Sequence, residues 1–271
     1  MKSYLPIEKD YFLKKCPLLL ALLADFHNSR PGPVLDSLKK RKPEIITVAG
    51  DFIVGDQPEG QELKIDENRN ALELLRGCAE IAPTFVSPGN HEYMLTDKEL
   101  EIVRSTGIRL LDNEWTDCKG IWIGGLSSAY FTQYRAYRKK LFGKDLYPRP
   151  PKDMLRTKQV PELAWLDRFE KLEGFKILLC HHPEYYPLYL RERKIDLIFS
   201  GHCHGGQWRF YSPIHKETRG VYAPGQGFLP ALTSGIHDNK LVISRGLSNP
   251  VMIPRINNPT EIVYISPENK L

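Results

Sequence analysis

Five short polar clusters carry residue types that ligate divalent metals: Asp25-Phe26-His27, Gly50-Asp51, Gly89-Asn90-His91-Glu92, His181-His182-Pro183 and Gly201-His202-Cys203-His204. Together they offer two aspartates, an asparagine and several histidines, a ligand set for two adjacent ions. Two divalent ions a few ångströms apart clamp the oxygens of a phosphate ester and acidify a water as nucleophile. Ligation by nitrogen and oxygen without thiolate points to manganese, iron, zinc or nickel rather than calcium. Manganese is the ion favoured for loading in vitro.

Each cluster has a geometric rationale. Asp25 and His27 are two residues apart, so an extended segment would point both side chains the same way. His202 and His204 share a face by the same rule, one for each ion. Gly50 lets the chain turn sharply before Asp51, whose two carboxylate oxygens suit it to bridge both ions. Asn90 adds a neutral carbonyl oxygen that tempers the negative charge. Alone, an Asp-x-His or Gly-Asp pair is ordinary turn chemistry, and His-Cys-His could be two satisfied histidines around a buried cysteine. The placement of all five at predicted strand ends is what argues for a metal site.

The elements that must position these clusters follow from periodicity. Leu18–Ala24, Ile45–Ala49 and Thr84–Val86 are short continuous apolar runs, as expected of strands buried on both faces. Between them, Pro33–Arg41 and Asp66–Ile81 read as helices, the second with Ala71, Leu74, Leu75, Cys78 and Ile81 at helical spacing. The first third is therefore β-α-β-α-β, with parallel strands joined by crossovers. Thr96 and Glu99 form a capping box that opens a helix over Thr96–Thr106. Strands are expected at Arg109–Leu111 and Ile121–Ile123, a helix at Pro161–Leu172, and buried strands at Phe175–Cys180 and Ile195–Ser200. The tail, with Gly220–Ala223, Lys240–Ser244 and Glu261–Ile265, is β-rich. Ligands at the carboxyl ends of such strands converge on one edge of an α/β sheet.

Bulk properties set the outer bounds. The 271 residues, 41% hydrophobic and 26% charged, fit one large α/β domain, read here as a single unit over 1–271 with two sheets. The net charge of +5 argues only weakly for an anionic partner. Five scattered cysteines without a CxxC pair suit a reducing compartment, hence a cytoplasmic protein. Lys14-Lys15 before Leu18–Ala24 imitates a secretory signal, but cleavage there would strand Asp25 and His27 on a frayed end, so a buried first strand is expected. No run is apolar enough to predict a transmembrane helix.

The motif set resembles the calcineurin-like metallophosphoesterases over about Leu18 to Ile265. Ser200-Gly201-His202-Cys203-His204-Gly205-Gly206-Gln207 is similar to a bacterial branch of small phosphodiesterases and UDP-diacylglucosamine pyrophosphohydrolases. The resemblance implies a four-layer α/β/β/α sandwich of two mixed sheets flanked by helices. It places Asp25, His27, Asp51 and His204 on one metal and Asp51, Asn90, His181 and His202 on the other, with Asp51 bridging. His91 matches the family's catalytic histidine. In the His181-His182 doublet, His181 is chosen because the family motif has its histidine two before proline. The acidic residue that many relatives carry three after the bridging aspartate is Val54 here, leaving Asp56, Glu92 or no acid at all to orient His91. Cys203 stands where this branch often has threonine, a change expected to affect packing rather than ligation.

Substrate selection is less legible. Ala129–Val160 holds nine Lys/Arg against two acidic residues, interleaved with six aromatics. Such a stretch is a solvated helix and Pro-rich loop, a cap that holds phosphates and stacks bases, or a patch for an anionic membrane. Val221–Ser234 reads as a loop that walls the site or merely crosses the sandwich, His215 and His237 as surface histidines, and Arg245 as a phosphate contact or a structural ion pair. The expected activity is hydrolysis of a phosphodiester or pyrophosphate in a small substrate such as a nucleotide or lipid headgroup. The alternatives are a phosphomonoesterase or phosphoprotein phosphatase, a non-catalytic metal-binding scaffold, and, from the basic segment alone, a nuclease.

Overall fold

The computed structural model describes residues 5–55, 65–142, 160–213 and 216–268. Strands β1 (Ile7–Phe12), β2 (Leu20–Leu23), β3 (Ile45–Ala49), β4 (Thr84–Ser87) and β5 (Arg109–Leu110) join β16 (Glu261–Ser266) in one six-stranded sheet of order β1-β16-β2-β3-β4-β5. The β2–β3–β4–β5 pairings are parallel and β16 runs antiparallel to β2. A second six-stranded sheet, β14-β15-β9-β8-β7-β6, contains β6 (Glu114–Cys118), β7 (Ile121–Leu126), β8 (Phe175–Cys180), β9 (Leu197–Ser200), β14 (Gly235–His237) and β15 (Leu241–Ile243). Two small ribbons, β10 (Arg209–Ser212) with β11 (Glu217–Gly220) and β12 (Tyr222–Ala223) with β13 (Gly227–Phe228), lie between β9 and β14 in sequence.

The continuous apolar runs are divided between two faces, because side chains alternate along a strand. In β2, Leu20 and Leu22 enter the core between the sheets, while Ala21 and Leu23 pack beneath helices α1 (Gly32–Arg41) and α2 (Arg69–Ile81). In β8, Ile177 and Leu179 face the other sheet, while Leu178 packs outward with Trp165, Phe169, Tyr186 and Leu190. Three apolar layers thus separate helices, sheet, sheet and helices, which is the four-layer sandwich that the resemblance implied. Leu18–Ala24 reads correctly as a buried strand, with Leu20–Leu23 fully inaccessible.

Helix α3 (Asp97–Arg104) starts at Thr96, whose hydroxyl accepts from the Glu99 amide while the Glu99 carboxylate accepts from the Thr96 amide. The helix expected over Pro161–Leu172 shrinks to α5 (Leu166–Phe169). Strands β1, β6, β10, β11, β13 and β14 escaped the sequence reading, whereas β12 lies within the expected β-rich stretch Gly220–Ala223. Of Ala129–Val160, helix α4 (Ala129–Phe142) is described and 143–159 lies outside the described residues. Its first half is not a solvated stripe. Phe131 and Tyr134 are buried, Tyr130 meets the Tyr93 ring tilted and Tyr134 meets it edge-on, and Arg135 pairs with Asp97 and Asp112. These two buried aromatics anchor the helix and are not free to stack a base. Among the described residues no helix is long and apolar enough to cross a membrane.

Candidate metal centre

Each cluster follows the carboxyl end of a strand: Asp25 and His27 after β2, Asp51 after β3, Asn90 to Glu92 after β4, His181 after β8, His202 and His204 after β9. The site therefore straddles both sheets. The extended geometry expected for Asp-x-His and His-x-His is wrong. Asp25, His27, Asp51, His202 and His204 have φ values of 51, 43, 53, 68 and 45°. Their side chains converge because the chain coils through left-handed turns, not because alternate residues of a strand share a face. A non-glycine residue in that region costs roughly 1–3 kcal/mol and persists where its surroundings over-determine it. Here the Asp25 amide donates to Gly50 O at 3.2 Å, the His27 amide to Asp51 O at 3.1 Å, and the Ser248 hydroxyl to Asp25 O at 2.8 Å.

Gly50, at φ 78°, behaves as expected and does more. A Cβ there would come within 2.7 Å of the Gly89 backbone, so the two loops touch main chain to main chain. That approach lets the Asp51 carboxylate accept from the His91 amide at 2.8 Å. Glu92, fully buried, fastens the same junction by accepting from the amides of Gly89 (2.7 Å), Phe52 (2.8 Å), Asp51 (2.9 Å) and Ile53 (3.3 Å). Burial, then the Asp51 charge, push its carboxyl upward, and these amides oppose the shift.

Ligating atoms of Asp25, His27 and His204 lie within 4.8 Å of one another, as do those of Asp51, His181 and His202. A further trio, His27, Asp51 and His91, joins the two groups through Asp51. Two atoms of this constellation fit a cation in particular: His27 Nε2 and Asn90 Oδ1 are buried without a hydrogen-bond partner among the described residues. Leaving such an atom unpaired costs about 1–3 kcal/mol, which a bound metal offsets. Backbone carbonyls also preset two imidazoles. His27 Nδ1 lies 3.2 Å from Ile53 O and His181 Nδ1 lies 2.6 Å from Ala49 O. A carbonyl only accepts, so each Nδ1 carries a proton and each Nε2 faces inward, in neutral His27 as a lone pair.

The two histidines of the doublet occupy different places, His181 in the trio with Asp51 and His202, and His182 in one with Glu184 and His202. His181 Nε2 sits 3.0 Å from Asp51 Oδ2, whereas His182 turns away, with Nε2 2.9 Å from the Ser128 hydroxyl and Nδ1 3.1 Å from Glu184. Burial lowers His27 and His204 to about 3 and His202 well below its ordinary value, so all three are neutral at pH 7. His181 moves the other way: burial opposes charge, but the Asp51 carboxylate wins and lifts it to about 10. Burial likewise works against Glu184, yet His182 beside it holds its carboxylate down to about 2.

The neighbours fall among the alternatives that the sequence left open. The His91 ring is oriented by an amide, since Gly55 N–H donates to Nδ1 at 3.1 Å. Glu92 is committed to backbone amides, and Asp56 lies outside the described residues. Arg245 is a structural ion pair with Glu261 at 2.6 Å. His215 is outside the described residues, and His237 Nε2 meets Ser234 O at 3.1 Å. Cys203 is buried, its thiol pushed far up by desolvation, and Gln226 donates to its sulfur at 3.2 Å, which suits packing rather than ligation.

Sequence reasoning missed Arg255, which donates to His204 Nδ1 at 3.0 Å and to the carbonyls of Arg245 and Ser248. It also missed Glu184, whose Oε1 lies 3.8 Å from His202 Nε2. Arg255 stands 51 residues beyond His204, and no local pattern announces it. Glu184 could have been suspected from its place directly after His181-His182-Pro183.

An uncharacterized metallophosphoesterase of Campylobacter jejuni is 27% identical over 266 residues, 95% of this chain and 61% of the relative. A counterpart in Helicobacter pylori is 23% identical over 96% of this chain and 62% of its own length. Phosphodiesterase YaeI of Escherichia coli is 27% identical over 71% of this chain and 63% of its own. The chain thus spans about three fifths of the length of these relatives. A family model described as calcineurin-like phosphoesterase matches residues 18–206, a span that contains every clustered aspartate, asparagine and histidine above, and the chain belongs to that family.

Proposed function

We propose that the protein is a dinuclear metal-dependent hydrolase of phosphodiester or pyrophosphate bonds. The observation that carries this reading is the convergence of Asp25, His27, Asp51, His91, His181, His202 and His204 in three overlapping trios, with the His27 Nε2 among them buried and unsatisfied. Asp25, His27 and His204 would hold one ion and Asn90, His181 and His202 the other, with Asp51 between them. When bound, such a pair supplies positive charge to the phosphoryl oxygens and brings the pKa of a water near 7.

The chain's own groups supply the rest. His27 presents a lone pair already aimed inward, and His181 aims its Nε2 the same way, free to ligate once it gives up the proton it shares with Asp51. His91, outside both trios that lack it, keeps a proton at Nε2 because its Nδ1 accepts from Gly55. That proton stabilises the departing oxygen. Diester chemistry is favoured over monoesters because a relative with 27% identity is named a phosphodiesterase.

The test is hydrolysis of bis-p-nitrophenyl phosphate against p-nitrophenyl phosphate by manganese-loaded protein, with Asp51→Asn as control and metal content measured in parallel. Diester turnover that disappears in Asp51→Asn is the expected result. Monoester turnover alone would replace this reading with a phosphomonoesterase. A folded, metal-free and inactive protein would replace it with a scaffold.

A further inference from the structure

His202 belongs to two side-chain trios at once. One joins it to Asp51 and His181, the other to His182 and Glu184, with ligand-type atoms within 4.8 Å of one another in each. The second trio stands beside the metal centre, and the hydrolytic chemistry above makes no use of it.

A tight turn assembles this trio. Directly after β8, the Tyr185 amide donates to His182 O at 3.2 Å and the Tyr186 amide to Pro183 O at 3.0 Å. The turn brings Glu184 back beside the His182 ring, whose Nδ1 lies 3.1 Å from Glu184 Oε1. His182 Nε2 meets the Ser128 hydroxyl at 2.9 Å, and Ser128 is itself tied by its amide to Pro88 O at 3.0 Å. Gly225 leaves room for the carboxylate: a Cβ there would come within 2.5 Å of Glu184 Oε1.

A hydroxyl, an imidazole and a carboxylate in line are also the parts of a nucleophilic relay. Ser128 is only 1% exposed, however, so its oxygen has no access to a substrate. A third cation fits no better. The ionised carboxylate only accepts, so His182 Nδ1 carries a proton, and His182 Nε2 is engaged by Ser128. What the trio has to spare is an acceptor, because Glu184 Oε2 is buried without a hydrogen-bond partner among the described residues. A buried acceptor left in that state is costly.

The donor within reach is His202. Its ring centroid is 4.2 Å from that of His182, and its Nε2 is 3.8 Å from Glu184 Oε1. That separation is longer than a hydrogen bond, and a proton fixed on Nε2 is what would draw the pair together. An imidazole that ligates through one nitrogen keeps its proton on the other. A cation on Nδ1 therefore leaves Nε2 as the sole place for the proton, opposite a charged acceptor that makes the stronger kind of hydrogen bond. We propose that Glu184 is a positioning residue, which holds the His202 proton on Nε2 and so commits Nδ1 to the second ion, with His182 and Ser128 bracing the carboxylate. This rests on the dinuclear reading and adds to it a residue outside the ligand set. The coupling is reciprocal, so the ion and the Glu184 contact strengthen each other.

Manganese binding tests this apart from turnover. In titrations of EDTA-treated protein, Glu184→Gln, nearly isosteric and uncharged, should weaken one class of bound Mn²⁺ by roughly ten- to a hundredfold and leave the other in place. Ser128→Ala, which removes only the far anchor of the chain, should weaken the same class by less, and it decides the question if Glu184→Gln does not fold. Nitrogen NMR of zinc-loaded protein with isotopically labelled histidine adds a readout that a merely structural Glu184 would not move. His202 should ligate through Nδ1 and keep its proton on Nε2, and that proton's resonance should move upfield in Glu184→Gln. Ligation through Nε2, unchanged affinity in both variants, or equal weakening of both classes would overturn the proposal. A wild type that takes up no manganese would overturn it together with the dinuclear reading. Protein that binds both ions yet hydrolyses no ester would instead sink the hydrolase reading alone and leave Glu184 in its role.

Discussion

The Nδ1 atom of His91 accepts a hydrogen bond from the Gly55 backbone amide at 3.1 Å. A ring nitrogen that accepts carries no proton, so His91 is held as the neutral tautomer with its hydrogen on Nε2. Gly55 occupies a place that a side chain could not share, since a Cβ would come within 2.2 Å of His91 O. His91 therefore acts as a fixed donor. On a diester with a poor leaving group, His91→Ala should lower kcat ~10²–10⁴-fold. His91→Gln, which keeps a neutral N–H donor, should recover part of that loss. Equal loss in both variants would show that full proton transfer, not donation, is the role.

Glu92 holds the Gly-Asp and Gly-Asn-His loops together through four amide contacts. Removing a buried charged acceptor leaves those donors without partners, at about 3–5 kcal/mol. Glu92→Ala should show that loss in urea unfolding, together with loss of bound metal. A variant with native stability would mean that the loops are held by other contacts.

The two halves of the centre should differ in affinity. His27 and His181 have Nδ1 protons held by carbonyls, which leaves Nε2 as the ligating atom, in His181 after release of the proton it shares with Asp51. His204 is set the opposite way, because Arg255 can only donate and its target is Nδ1. Ligation through His204 Nε2 requires that contact to yield. Titration with Mn²⁺ should resolve a tighter and a weaker class. Arg255→Met should strengthen the weaker class by roughly tenfold, the size expected for a residue behind a ligand. A single class in the wild type, or no change in the variant, would refute this account.

Legibility in the sequence followed the physics of each signal. Burial on both faces made β2, β3, β4, β8 and β9 visible as apolar runs, and the ligands stood at their ends. The capping box fixed the start of α3 because both its members are local. β1 was hidden because its face is half exposed and its partner, β16, lies about 250 residues away. The local backbone of the ligand loops was misread because positive φ is uncommon at any residue but glycine, and only the tertiary bonds from Asp25 to Gly50 and from His27 to Asp51 reveal why it is adopted here. Arg255 and Glu184 were silent for the same reason: each reaches the site by folding, not by spacing.

Those neutral histidines give the metal-free protein a particular pH profile. His27, His202 and His204 sit below their unfolded value of about 6.5. Their contribution is present above that pH and is lost as pH falls towards about 3, because the unfolded chain binds three protons that the native state refuses. The slope can reach ~4 kcal/mol per pH unit. His181 is raised to about 10, so its ion pair with Asp51 contributes fully below about 6.5 and fades as pH rises through 10. Stability of EDTA-treated protein should therefore peak near pH 6–7, the three histidines outweighing on the acid limb the raised carboxyl of Glu92, whose contribution fades as pH rises through about 7. Urea midpoints across that range provide the check. A profile that is flat between pH 4 and 7 would mean that the three histidines accept protons without leaving their places, and the burial assigned to them would be wrong.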